Sequence, residues 1–139
     1  MPVVSVTRFR TRSWRFVPSF LFHAQRAIAQ MRRSDGYIAG AVRRDRDLAF
    51  WTMTVWRDEQ AMMRYVLSGA HRTAMPRLAN WGAEASTVRW TMAGDDVPDW
   101  ATADERMKAN GRALALRHAE PLHEGVAYVS SPATFTTRL

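Results

Sequence analysis

Phe50 to Met75 reads FWTMTVWRDEQAMMRYVLSGAHRTAM, and this stretch decides the fold. It opens as a strand that is apolar on both sides. Phe50, Thr52, Thr54 and Trp56 share one parity, Trp51, Met53 and Val55 the other, and neither carries a charge. A half-solvated strand alternates apolar with polar residues, so this one predicts a strand covered on both faces. A chain of 139 residues holds few helices to supply two covering layers. The economical expectation is one face under the chain's own helices and the other against a second copy, hence a homodimer. Asp58 then has the chemistry of an N-cap, with Glu59 acidic in the first turn of a helix expected over Glu59 to Leu67. Ser68-Gly69 breaks that helix. Ala70, Ala74, Leu78 and Trp81 continue an apolar stripe, with a kink or fresh start expected at Met75-Pro76.

Outward from this stretch, Val3 to Arg10 has the β-branched and aromatic composition of a strand. Val17, Phe20, Leu21, Ala24, Ile28 and Met31 recur at spacings of three and four, which predicts a helix from near Pro18 to near Ser34. Asp35-Gly36 supplies a turn into a second strand, Tyr37 to Val42. Arg43 to Asp47 is read as a charged hairpin tip leading to the third strand, so those two strands pair antiparallel. Ser86 to Met92 is the fourth. The order β-α-β-β-α-β predicts a ferredoxin-like α+β plait over residues 1–93. Residues 94–139 are expected to form a C-terminal helical or extended extension packed on the same domain. Within it Thr102 and Glu105 have capping-box spacing, placing a helix over about Ala103 to Ala109. Arg112 to His118 is either a fifth strand or an extension, and Pro121 to Leu139, without a clear period, an ordered arm.

Composition narrows the function. Apolar residues make up 47% and charged residues 24%, the balance of a soluble globular protein. No uncharged apolar run approaches the roughly 18 residues that cross a bilayer. Arg8, Arg10 and Arg12 precede any hydrophobic block, so no secretory signal is expected, and a cytoplasmic protein with no membrane partner is. The absence of cysteine excludes disulfides, thiolate catalysis, iron–sulfur clusters and Cys-ligated zinc. A net charge of +7 raises nucleic acid as a partner. Yet the basic residues are scattered, and all but Lys108 are arginine, a skew typical of a GC-rich genome. They are assigned to solvated faces and an anion-attracting pocket mouth rather than to nucleic acid. No G-x-G-x-x-G or P-loop announces a nucleotide, and no G-x-S-x-G announces a hydrolase. The acidic pairs Asp58-Glu59, Asp95-Asp96 and Asp104-Glu105 fall at helix starts or in a linker, where capping explains them.

With FWTMTVW running into RDEQAM, the break SGAHRTAM behind it and EASTVRW after that, the chain resembles the antibiotic-biosynthesis-monooxygenase-like families of the dimeric α+β barrel superfamily. It is most similar to an uncharacterised family beside the monooxygenases, and distantly similar to spheroidene monooxygenase. The resemblance implies a dimeric barrel. It also implies an activity drawn from cofactor-free oxygenation, haem chemistry or plain ligand binding. Haem-degrading relatives use an Asn on the first strand, a Trp on the helix after the third strand and a proximal His about ten residues later. Here those positions fall near Thr7, at Tyr65 and at Met75. None matches, and His71 lies one helical turn before the expected ligand.

His71 is the candidate catalytic residue. On a helical wheel it falls among Ala74, Met75 and Leu78, which suits a general base or hydrogen-bond donor aimed at a ligand. The bland alternative is a core histidine bonded to a backbone carbonyl. His71, rather than His23, His118 or His123, is expected to border the cavity. The four histidines lack HxxxH or HxH spacing, so no metal is expected. Trp51, Trp56, Tyr65, Met75 and Trp81 are the candidate binding residues for a small hydrophobic or aromatic ligand. Trp51 and Trp56 have opposite parity, so one is expected to face the cavity and the other a partner subunit. The leading reading is a cofactor-independent monooxygenase acting on an aromatic or polyketide-like metabolite. The alternatives are a haem-dependent enzyme or haem binder, and a non-catalytic ligand-binding or structural dimer.

Overall fold

In the computed structural model, which describes residues 1–45, 48–94, 96–119, 123, 125, 126, 128 and 133–139, the middle of the sheet is a pair of antiparallel strands. These are β1 (Val3–Thr11) and β3 (Ala49–Trp56). β2 (Tyr37–Asp45) flanks β3, and β4 (Gly82–Thr91) flanks β1. A two-residue β5 (Arg112–Ala113) and a terminal β6 (Ala133–Arg138) complete a sheet of order β5-β4-β1-β3-β2-β6. The helices are α1 (Val17–Arg32), α2 (Glu59–Val66), α3 (Gly69–Trp81) and α4 (Trp100–Asn110). The first 91 residues thus follow β-α-β-β-α-β, with the second helix split into α2 and α3: a ferredoxin-like α+β fold.

Parity sorts the core. On β3, Ala49, Trp51, Met53 and Val55 are buried together with Val4 and Val6 of β1 and Val88 of β4. Trp56 faces the other way, packed with Val3, Met31, Ala61 and Met62 beneath α1 and α2. The strand is covered on both sides, as its composition demands.

The source of the second cover differs from the expectation. α4 lays Ala103 and Met107 on the Trp51 face, and Tyr128 closes over the same cluster. Cover therefore comes from the chain's own C-terminal segment, and the need for a second copy to shield this face falls away. Trp51 faces α4, not a partner.

Several boundaries move, each for a local reason. α3 runs unbroken through Pro76. The proline lies on the exposed side, where water can take the carbonyl left by its missing N–H. β4 begins four residues before the expected Ser86, because Gly82 to Ala85 are small rather than β-branched and escape a compositional reading. A Cβ on Gly82 would sit 2.8 Å from Phe9 Cε2, so only glycine fits the close approach. α4 starts at Trp100 because Asp99, not Thr102, is its N-cap, accepting from Thr102 N–H at 2.7 Å. Of the stretch Arg112 to His118, only Arg112–Ala113 pairs as strand. The tail, expected as an arm without a period, contributes β6 to the outer edge of β2. Its exposed position leaves no apolar alternation to read. Of the hairpin tip expected over Arg43 to Asp47, Arg43 to Asp45 instead continue β2, with Arg43 and Arg44 paired to β3; its residues 46–47, Asp95 of the acidic linker, and residues 120–122, 124, 127 and 129–132 of the tail lie outside the described residues.

Candidate active site between helices and sheet

A cavity of about 320 Å³ lies between one face of the sheet and helices α1, α2 and α3. Its floor is built in rows fixed by strand register. Phe50, Phe9 and Ala85 stand side by side across β3, β1 and β4. The next row is Thr52, Thr7 and Thr87, continued on β5 by Arg112. The third is Thr54, Ser5 and Arg89. Residues opposite one another in an antiparallel ladder project to the same side, and all of these line the cavity. One end of the floor is therefore aromatic, extended by Phe20, whose ring stacks on Phe9 at 4.9 Å. The middle is a band of hydroxyls.

Those hydroxyls differ in what they have to offer. Thr87 donates to the carbonyl of Val6 at 3.1 Å, and Thr54 accepts the indole N–H of Trp56 at 2.9 Å. Thr7 and Thr52 have no hydrogen-bond partner for their hydroxyls among the described residues, so both are available to a ligand.

The roof holds the titratable groups. His71 lines the cavity from α3, and its Nδ1 lies 3.1 Å from the carbonyl of Val66. A carbonyl only accepts, so Nδ1 carries the proton and Nε2 is left with a lone pair. Burial lowers its pKa, against a smaller upward pull from the Val66 carbonyl. The outcome is a neutral imidazole with one nitrogen free to take a proton.

Neighbouring groups fix its position. Gln30 of α1 accepts the His71 backbone N–H at 3.0 Å and donates to the carbonyl of Ser68 at 2.9 Å. Gly69 between them has a positive φ of 59, and a Cβ there would press on the Gln30 amide. The Tyr65 ring lies 4.9 Å from that of His71 and stacks on Trp56 at 5.2 Å. Its hydroxyl donates to Ala27 O, and burial raises its pKa, so it remains a neutral phenol.

Of the residues singled out in sequence, His71, Trp56, Tyr65 and Met75 are brought together around this cavity. Trp51 is on the opposite sheet face, its indole donating to Asp45 at 2.8 Å, because odd positions of β3 point away from the helices. Trp81 ends α3 and packs beside Phe16 and His23, outside the lining. His23, expected away from the cavity, also reaches its wall from α1. Sequence reasoning passed over Gln30, Arg112 and the threonine band. Thr7, Thr52 and Thr87 stand on three different strands, so the band exists only once register aligns them. Arg8 and Arg10, read as a solvated face, lie on the Trp51 side and pair with Glu84. Among the described residues no group of three metal-ligating side chains occurs, and no helix is long and apolar enough to cross a membrane.

Residues 21–115 match the profile of the family described as a domain of unknown function, DUF3291. The chain belongs to that family. Among curated proteins none matches its sequence. The fold of this DUF3291 chain is shared with SnoaB of Streptomyces nogalater, described as a cofactor-independent oxygenase. The two are 21% identical, with a TM-score of 0.54 over 70% of this chain and 98% of that one. Rv0793 from Mycobacterium tuberculosis is similar at 12% identity and a TM-score of 0.62, over 68% of this chain and 97% of that one. A protein solved as an antibiotic biosynthesis monooxygenase follows at 10% identity and a TM-score of 0.59, over 66% and 99%. At these identities the likeness establishes an antibiotic-biosynthesis-monooxygenase-like fold for the DUF3291 chain.

Proposed function

We propose that this protein binds an aromatic or polyketide-like metabolite in the helix–sheet cavity and oxygenates it with molecular oxygen, without a bound cofactor. One observation carries the reading. His71 stands in the wall of an apolar cavity with Nδ1 committed to Val66, which leaves Nε2 as the base. A phenol, enol or acidic C–H bound over the threonine band gives its proton to Nε2. The resulting anion passes one electron to O2, and the radical pair joins as a carbon–oxygen bond. The imidazolium returns its proton to the peroxide, and loss of water from the hydroperoxide leaves a carbonyl. The balance is substrate CH2 plus O2 giving C=O plus H2O. SnoaB, with the same fold, is described as a cofactor-independent oxygenase, which supports this reading over the alternatives.

The test is oxygen uptake with anthrone, against its spontaneous oxidation. Protein-dependent uptake should match anthraquinone formed, mole for mole, and His71→Gln should lower the rate about a hundredfold or more, the usual contribution of general base catalysis. No rate above background, or a Soret band in the purified protein, sinks the reading. The homodimer is retained as a proposal on the family resemblance alone. Light scattering at twice the 15.9 kDa chain mass supports it, and a monomer removes it.

A further inference from the structure

We propose that the ligand is an aromatic acid, seated along the threonine band with its carboxylate held by Arg112. This rests on the reading of the cavity as a ligand site and adds the chemical class of what enters it.

The floor is directional. Thr52, Thr7, Thr87 and Arg112 follow one another across β3, β1, β4 and β5 in a single register row. At about 4.8 Å between neighbouring strands the row spans about 14 Å. The aromatic row of Phe50 and Phe9 runs alongside it, so a flat ring system lies against phenylalanine on one flank and hydroxyls on the other.

Charge sets the orientation. Among the described residues no aspartate or glutamate lines the cavity, whereas Arg89, Arg112, His23 and His71 do. The two arginines differ. Arg89 is engaged by Glu59 at 3.4 Å. Arg112 is exposed at the cavity mouth and has no acidic partner among the described residues. It is an unneutralised guanidinium at the end of a polar row. Such a group forms charge-assisted, two-pronged hydrogen bonds with a carboxylate. Bound there, the acid leaves its rings over the threonines and under the helices.

Calorimetric titration with anthraquinone-2-carboxylate and its neutral carboxamide tests this. The acid should bind roughly tenfold tighter than the amide at low ionic strength, because only the acid makes the charge-assisted pair, and the ratio should shrink in salt. Arg112→Gln should bring the ratio to about one by weakening the acid far more than the amide, and Arg112→Lys should keep part of the preference. Equal binding of acid and amide to the wild type overturns the assignment and leaves the cavity as a ligand site. A ratio that survives Arg112→Gln does the same. If neither compound binds, the ligand-site reading itself falls, and this inference with it.

Discussion

The side-chain oxygen of Gln30 accepts the backbone N–H of His71 at 3.0 Å, tying the C-terminal part of one helix wall to the first turn of the other. His71 sits three residues into a helix whose N-cap, Ser68, makes no side-chain capping bond. The first N–H groups of a helix have no partner within it. Gln30 supplies one from outside, and its amide nitrogen satisfies the Ser68 carbonyl at the same junction. The candidate base is thus held by a residue remote in sequence.

Gln30→Ala should therefore destabilise the protein by about 1–3 kcal/mol, the cost of leaving the partly buried His71 N–H unpaired. Urea unfolding measures this. A loss below about 0.5 kcal/mol, the scale of an ordinary surface substitution, would show that water replaces the amide without penalty and that His71 is not held from α1.

His71 also makes stability depend on pH. Burial depresses its pKa below the ordinary 6.5, and the Val66 carbonyl pulls only weakly the other way. As pH falls, the unfolded chain takes up the proton first and is favoured. Stability is thus present in full above about pH 6.5, falls below it, and the loss is complete once pH passes the folded value. Denaturation midpoints between about pH 5 and 7.5 should show this slope in the wild type and a shallower one in His71→Gln. His23 is shifted the same way by burial and by Arg77 and Arg26, so some slope should persist in the variant. Identical slopes in the two proteins would contradict a buried neutral His71.

On the opposite face, Met107 of α4 is fully buried against the Trp51 cluster. Met107→Ala should cost about 2–5 kcal/mol by opening a cavity, and calorimetry should register it as a lower midpoint. A cost under about 1 kcal/mol would mean that α4 only rests on the sheet, and that its face is open to another partner after all.

Sequence carried the fold a long way because α1 obeys a strong periodicity, because β3 is uncharged on both parities, and because Asp58 caps α2 as its chemistry predicts, accepting from Ala61 N–H at 2.8 Å. What could not be read depended on contacts between distant segments. Parity separates Trp51 from Trp56, but nothing in residues 94–139 marks α4 as the cover for Trp51 in place of a partner subunit. The apolar positions of α4 are sparse, and only Ala103 and Met107 are buried. The threonine band is invisible for a related reason. Each threonine is unremarkable on its own strand, and only the register of three strands makes them one surface. Gln30, near the end of α1, gave no local sign that it would meet a backbone 41 residues away.

The alternation along β3 has a consequence for how this scaffold can change. Trp51, Met53 and Val55 anchor the interior, whereas Phe50, Thr52 and Thr54 line the cavity. On the proposed function, ligand preference and much of the interior are therefore written on interleaved residues of one strand, in positions that do not touch across the sheet. Selection, natural or in the laboratory, can rewrite Phe50 and Thr52 to suit a new molecule while the letters between them and beyond keep the protein standing.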